Sequence, residues 1–304
     1  MNRKSIILLM TGLLLAGIVL TVYQPVAAAE ATPTPAVSKK ALLVVSFGTS
    51  YADTRAKTIE ATEKTLAAAF PDYDLKRAFT SQTIIDILKK RDGIEIDNAG
   101  QAIEKIYKDG YSEVLVQPLH VINGEEYHSL LVELNPYKEK FAKFSIGSPL
   151  LSSHEDYVAA IKALDKEMPA RGEKEAVVFM GHGTHHPADA AYAAMNYVLQ
   201  DEGYTDVFVG TVEGYPTLDT IIKSLEAAKI EKVTLMPFMI VAGDHAQNDM
   251  AGDEEGSWKV ILKSKGYEVE TVLKGLGEMK GIQKIYIEHA KAALEPAGEE
   301  EAAE

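Results

Sequence analysis

The sequence predicts an α/β fold of two similar halves, each a parallel sheet flanked by helices, with a cleft between them. Three observations carry this. The chain repeats itself: Lys40-Ala-Leu-Leu-Val-Val-Ser-Phe-Gly-Thr-Ser50 is echoed by Glu175-Ala-Val-Val-Phe-Met-Gly-His-Gly-Thr-His185, and Pro118-Leu-His-Val-Ile-Asn-Gly-Glu-Glu126 by Pro237-Phe-Met-Ile-Val-Ala-Gly-Asp-His245. Short apolar runs of strand length alternate with amphipathic stretches of helix length, the pattern of parallel strands joined by right-handed crossovers. A length of 304 residues suits two domains of roughly 100–200 residues each.

In the first half, Ala41–Ser46 is an unbroken apolar run ending before a glycine, which suits a strand covered on both faces. Asp53 then opens one helix to Phe70, with Asp53 as N-cap and Pro71 beyond its end. Asp74–Phe79 is a strand. Ser81–Lys90 and Asn98–Lys108 are helices. Glu113–Gln117 is a strand, Glu125–Tyr137 a helix and Phe144–Ile146 a short strand. Ser153–Met168 is a helix capped by Ser152 or Ser153, and Pro169–Lys174 links the halves. The second half repeats the plan. Its strands are Ala176–Met180, Asp206–Val212, Lys232–Met236 and Glu268–Val272. Its helices are Pro187–Leu199, Thr217–Ala228, Ala246–Lys265 and Glu278–Leu294. Ligands of such sheets bind beyond the carboxyl ends of the strands. Gly48, Glu126, His182, Glu213 and His245 all fall there.

The ends of the chain differ from this core. Arg3 and Lys4 precede an apolar run from Ile6 to Val22, followed by Pro25 and Ala27-Ala-Ala29. This is the build of a secretory signal over residues 1–29, cut after Ala29. Left uncut, the run is long enough to anchor the protein in a membrane. The expected location is therefore the periplasm. Residues 30–39 read as a flexible spacer, 40–170 and 171–294 as the two lobes, and 295–304 as an acidic tail. There is no cysteine, which excludes disulfides, thiolate ligands and lipidation at sulfur. The formal net charge is −14, and loss of Arg3 and Lys4 with the signal takes it to −16. Such a chain is a poor partner for nucleic acid, whose phosphates need clustered lysine and arginine. An acidic field favours cations.

The strand-end residues suggest the chemistry. His182 sits in Gly181-His-Gly-Thr184, where flanking glycines allow a sharp turn and leave the imidazole open. His245 ends the matching second echo, with Asp244 and Asp249 close enough in sequence to orient it. Glu213 lies in Thr211-Val-Glu-Gly-Tyr-Pro216, again at a strand end; a solvated turn carboxylate is the plainer account. Two imidazoles and a carboxylate suit Co(II), Fe(II), Ni(II) or Zn(II). No HExxH or CxxC motif is present, so the ligands have to converge from separate loops. In the first half Phe47 stands where His182 stands in the second, and Glu126 where His245 stands. Glu126 is a candidate base or metal guide, although a glutamate at a helix start also meets the helix dipole favourably. Ser46 and Thr49 belong to a loop able to bind an anion. It lacks the P-loop lysine and GxGxxG spacing of a nucleotide site. His185 and His186 read as a polar loop, His120 as a satisfied buried histidine, His154 and His289 as structural. His128 is a surface residue or a ligand at an interface. The pair His182-Gly183 also brings to mind histidine phosphatases, but those use Arg-His-Gly and here Gly181 precedes.

The stretches Ala41–Tyr51, Arg77–Ser81, Arg91–Ile94, Asn123–Tyr127, Val177–Gly183 and Leu235–Ala246 together resemble the anaerobic sirohydrochlorin cobaltochelatase family, the class II chelatases, over about Lys40 to Leu294. The resemblance implies two flavodoxin-like lobes with a tetrapyrrole cleft. It implies insertion of Co(II) into sirohydrochlorin with release of protons and without ATP, and Fe(II) as the alternative metal. It implies that His182 binds metal and accepts a proton, that His245 and Glu213 bind metal, and that Glu126 lies in the cleft. Ser46, Thr49, Arg55 and Arg77 are then expected to hold the carboxylates of the macrocycle. Exported relatives suggest haem at the interface of a homo-oligomer, for which His128 is the first candidate and His120 the second. A non-catalytic carrier of tetrapyrrole, haem or metal on the same scaffold is the competing expectation.

Overall fold

The structure, a computed structural model, describes residues 38–295. The signal at 1–29, the spacer up to residue 37 and the tail from residue 296 lie outside the described residues. Among those described, no helix is long and apolar enough to cross a membrane.

The first half runs β1 (Lys40–Ser46), α1 (Ala52–Lys57), α2 (Ile59–Ala69), β2 (Asp74–Phe79), α3 (Gln82–Ile87), α4 (Ala99–Lys108), β3 (Glu113–Pro118), α5 (Glu125–Leu134), β4 (Lys143–Ile146) and α6 (His154–Asp165). The second runs β5 (Glu175–Gly181), α7 (Ala190–Asp201), β6 (Val207–Thr211), α8 (Leu218–Ala227), β7 (Lys232–Pro237), α9 (Trp258–Ser264), β8 (Glu268–Thr271) and α10 (Lys280–Ala292). The strands form two parallel sheets in the orders β2-β1-β3-β4 and β6-β5-β7-β8. The duplication read in the sequence is therefore a duplication of topology. Its register agrees as well. Val45 pairs with Ala78 and Pro118, and Met180 pairs with Gly210 and Pro237. The central strands are continuous apolar runs because helices cover both faces: Ala41 to Val45 are at most 1% exposed, as are Ala176 to Met180.

Strands fall within two residues of their expected ends. Helices are broken more often than expected. The helix expected over Asp53–Phe70 is two, joined at Thr58. The Thr58 hydroxyl donates to the Thr54 carbonyl, a bond that bends helices, and Gly275 and Gly277 press against its side chain. Asp53 lies inside the first turn, and Tyr51 takes the N-cap position without a side-chain cap bond. The helix expected over Ala246–Lys265 is also interrupted. A π-helical turn, Ala246–Met250, ends with Ala251 as its C-cap, and Ser257 caps a new helix by accepting the Val260 N–H. Both changes place a kink beside the cleft.

The C-terminal helix α10, which follows the second sheet in sequence, packs on the first half against α2, α6 and β3. The Tyr286 hydroxyl donates to the His120 carbonyl at 3.1 Å, and Thr65 meets Gln283 at 2.9 Å. His289 binds Asp156 at 2.8 Å, the structural role expected of it. These contacts tie the C-terminal helix to the first half, Tyr286 reaching the loop just past β3.

Candidate metal centre in the cleft

The carboxyl ends of both sheets open on one cavity of about 700 Å³. Ser46, Thr49 and Glu126 line it from the first half, and His182, Glu213 and His245 from the second. The last three bring one ligand atom each within 4.8 Å of one another. The rings of His182 and His245 stand edge to face, their centroids 4.7 Å apart.

Two of the three ligands are set by strand ends, and His245 stands eight residues past β7, at the N-cap of the turn Ala246–Met250. His182 follows the last residue of β5, and Glu213 lies two residues beyond β6. The ladder of these strands continues past their ends: Val212 N–H donates to the Gly181 carbonyl at 3.0 Å and Glu213 N–H to the His182 carbonyl at 2.9 Å. Gly183 then turns with φ +83°, and a Cβ there would lie 2.5 Å from the Gly214 nitrogen. Gly181 lies against the Tyr192 ring, where a Cβ would come within 2.5 Å. Tyr192 is buried, and that burial pushes its phenol up to about 12. It is thus a neutral platform under the histidine.

The tautomers follow from the partners. His182 Nδ1 donates to the Gly183 carbonyl at 2.9 Å, which leaves Nε2 as the lone-pair nitrogen. His245 Nδ1 donates to Asp249 at 2.6 Å and likewise frees Nε2. Such a carboxylate fixes ring orientation and raises ligand basicity. Asp249 thus orients His245, as its spacing suggested. Asp244 does not: it accepts from the Tyr51 hydroxyl at 3.1 Å and from Asn248 at 2.9 Å, linking the two halves across the cavity mouth. Replacing Asp249 by Ala is expected to weaken Co(II) binding about 10–100-fold. Calorimetric titration of the apo-protein checks this, and unchanged affinity would remove Asp249 from the centre.

Opposite the triad, Phe47 occupies the position equivalent to His182 and is 47% exposed. With Ile84, Ile87 and Val241 it makes the cavity walls chiefly apolar. Glu126, at the start of α5, supplies the facing carboxylate.

Several expected residues lie elsewhere. Arg77 does not reach the cavity. It forms a two-bonded pair with Glu63, which is only 3% exposed, and a further contact with Glu60. The hydrogen bonds to Glu63 hold its guanidinium above the ordinary value. Arg55 is buried beneath the loop, with Glu60 at 3.5 Å and the Thr49 carbonyl at 3.4 Å. Glu63, a buried carboxylate, demands a partner and holds Arg77, while Arg55 is engaged by half-buried Glu60 and the Thr49 carbonyl. Among the described residues no lysine or arginine lines the cavity. Arg91, which was not among the expected site residues, holds the Ser50 carbonyl at the rim. His120 is buried as expected but is not satisfied: among the described residues neither ring nitrogen has a partner, and desolvation lowers it to about 4. His128 is exposed outside the cavity, its ring edge-on to His186 at 6.2 Å.

Two imidazoles and a carboxylate at the wall of a largely apolar cavity are a donor set that could hold a divalent metal ion. The comparisons with known proteins agree. Residues 40–295 match the profile of the family described as Cobalt chelatase (CbiK). The chain is 48% identical over 264 residues to a protein named Sirohydrochlorin cobaltochelatase from Salmonella typhimurium, covering 87% of this chain and 100% of that one. It is 34% identical over 264 residues to Sirohydrochlorin cobaltochelatase CbiKC from Nitratidesulfovibrio vulgaris, covering 85% and 92%. Among solved structures it shares the fold of SirB from Bacillus subtilis with Fe3+, at a TM-score of 0.57 and 14% identity, over 84% of this chain and 95% of that one. The duplicated sheets, the shared cavity and the matched sequence together place this chain in the cobalt chelatase (CbiK) family.

Proposed function

We infer that this protein is a sirohydrochlorin cobaltochelatase, a lyase that inserts Co(II) into sirohydrochlorin. The observation that carries the mechanism is the convergence of His182, Glu213 and His245 on the wall of the cavity. The macrocycle lies between the halves, with its face against Phe47 and the apolar walls. Nε2 of His182, Nε2 of His245 and the Glu213 carboxylate hold the ion above it. Three protein donors leave coordination positions free for the ring nitrogens. As the ion enters, both inner N–H bonds break and both protons leave, so charge balances without a nucleotide. Glu126 faces the triad and takes one proton. An imidazole accepts the other once the ion has moved from it to the ring. Ser46 and Thr49 hydrogen-bond polar groups of the macrocycle. Its carboxylate arms reach the rim, where Arg91 holds the Ser50 carbonyl, in place of the inward-turned Arg55 and Arg77.

The same donors accept Fe(II), which is the second metal of this reading. The build of the first 29 residues supports export, with the mature chain working in the periplasm. Haem at an interface between copies would use His128, whose exposure suits an intermolecular ligand.

The test uses residues 30–304 with sirohydrochlorin and Co(II) under anaerobic conditions, followed by absorbance. Wild type is expected to metallate rapidly and His245→Ala at the uncatalysed rate. Tight macrocycle binding with no acceleration would sink the enzyme reading and leave an exported carrier. Running Fe(II) in parallel ranks the metals.

A further inference from the structure

We propose that Asp189 is a positioning residue of the metal centre. Its carboxylate ties the loop carrying His182 to the loop carrying Glu213, and so sets the separation of those two donors. The inference deepens the chelatase reading and rests on it.

The geometry is specific. Asp189 Oδ1 accepts the Thr184 N–H at 3.0 Å, and Oδ2 accepts the Tyr215 N–H at 2.7 Å. Thr184 lies two residues after His182, and Tyr215 two residues after Glu213. Each oxygen of one carboxylate therefore serves one of the two ligand loops. Gly214 is pressed against the same group: a Cβ there would lie 2.2 Å from Asp189 Oδ1. The carboxylate is itself held. Asp189 ends the short 3-10 turn Pro187–Asp189, with its N–H donating to the His186 carbonyl at 2.9 Å. His186 Nδ1 caps the turn by accepting the Ala188 N–H at 3.1 Å, and the His186 N–H donates to the Thr184 hydroxyl at 3.1 Å. That cap commits His186 Nδ1 as an acceptor, so His186 serves the turn and is not free as a neutral metal ligand through Nε2.

The chemistry explains why a carboxylate stands there. Past the strand ends, β5 and β6 keep only the two ladder bonds at Val212 and Glu213, and the following amides of Thr184 and Tyr215 have no strand partner. Each such amide needs an acceptor. A carboxylate accepts both at once, whereas the amide of asparagine has one acceptor oxygen and two donor hydrogens that would face an N–H. Asp189 does not belong to the triad and makes no contact with the ion in this scheme. It acts through the two loops.

The test compares wild type with Asp189→Ala, Asp189→Asn and His182→Ala. Co(II) affinity and the visible Co(II) absorption bands are recorded on each apo-protein, macrocycle affinity by fluorescence quenching, and folding by thermal unfolding. The positioning role predicts that Asp189→Ala weakens Co(II) binding about 10–100-fold and shifts the Co(II) bands. Asp189→Asn, which keeps side-chain volume, is expected to move both in the same direction by less. Macrocycle affinity is expected to stay at the wild-type value in both. Wild-type bands that vanish in His182→Ala but persist unchanged in both Asp189 variants would overturn the positioning role and leave the centre intact. Equal losses of Co(II) and macrocycle affinity, in step with a lowered melting temperature, would reduce Asp189 to a general structural residue. Absence of any Co(II) bands in wild type would overturn the centre itself, and the inference with it.

Discussion

His182→Ala is expected to lower the rate of Co(II) insertion about 10²–10⁴-fold while leaving macrocycle binding close to that of wild type. The reasoning starts from the duplicated fold. A second copy of the same β-α unit occupies the first half, with Phe47 where His182 stands. Backbone and register are shared, so the side chain makes the difference between a wall and a ligand. His182 offers a lone pair at Nε2 because Nδ1 is spent on the Gly183 carbonyl. On the proposed mechanism, removing the ring takes one donor of three from the ion and one proton acceptor from the pathway. The macrocycle is expected to lose little, because in this reading it rests on cavity residues of the first half, from the loops after β1 and β3. Stopped-flow absorbance gives the insertion rate, and fluorescence quenching gives macrocycle affinity. Insertion at the wild-type rate would exclude His182 from the mechanism. A parallel loss of macrocycle affinity would show that His182 holds the ring rather than the metal.

The strands were legible because a strand buried on both faces must be apolar throughout, and β1 and β5 are. Their echo also revealed the topology, since repeated strand-glycine units fold to repeated sheets. Helix continuity was less legible. The break at Thr58 depends on Gly275 and Gly277 arriving from the far end of the chain, which no local pattern records. The convergence of His182, Glu213 and His245 could be anticipated because His182 and Glu213 lie just past strand ends and His245 in the loop after β7, on the side where parallel sheets place their ligands, and because the family resemblance named the same positions. Arg55 and Arg77 misled for a physical reason. The arginines look available for substrate in sequence, but the need of buried Glu63 for Arg77, and the hold of Glu60 and the Thr49 carbonyl on Arg55, are visible only in three dimensions. Asp189 was missed because in sequence it is an ordinary acidic residue in the first turn of a helix. Its two acceptor bonds to remote loops appear only after folding.

The shared glycines allow a paired experiment on the two halves. Gly48 and Gly183 both turn with positive φ, +98° and +83°. An alanine at either position takes on left-handed strain of about 1–2 kcal/mol. The surroundings differ. At Gly48 the new Cβ meets the Phe79 ring at 2.5 Å, a buried side chain at the end of β2. At Gly183 it meets the backbone nitrogen of Gly214 at 2.5 Å and the Glu213 carbonyl carbon at 3.0 Å. Backbone cannot rotate away, so Gly183→Ala must part the loop of His182 from that of Glu213. Both variants are expected to unfold roughly 5–10 °C below wild type, as fits a loss of a few kcal/mol in a domain of this size. Their effects on the metal should differ. Gly183→Ala is expected to weaken Co(II) binding at least 10-fold, on the scale seen when the supports of metal ligands are removed. Gly48→Ala should leave Co(II) affinity unchanged, since no metal ligand lies on its loop. Thermal unfolding and calorimetric titration of Co(II) into both apo-proteins decide the matter. Equal Co(II) affinity in the two variants would mean that the contact between the two ligand loops does not set the metal geometry. A loss confined to Gly183→Ala would show that two halves with the same backbone have been divided between holding the ion and receiving the ring.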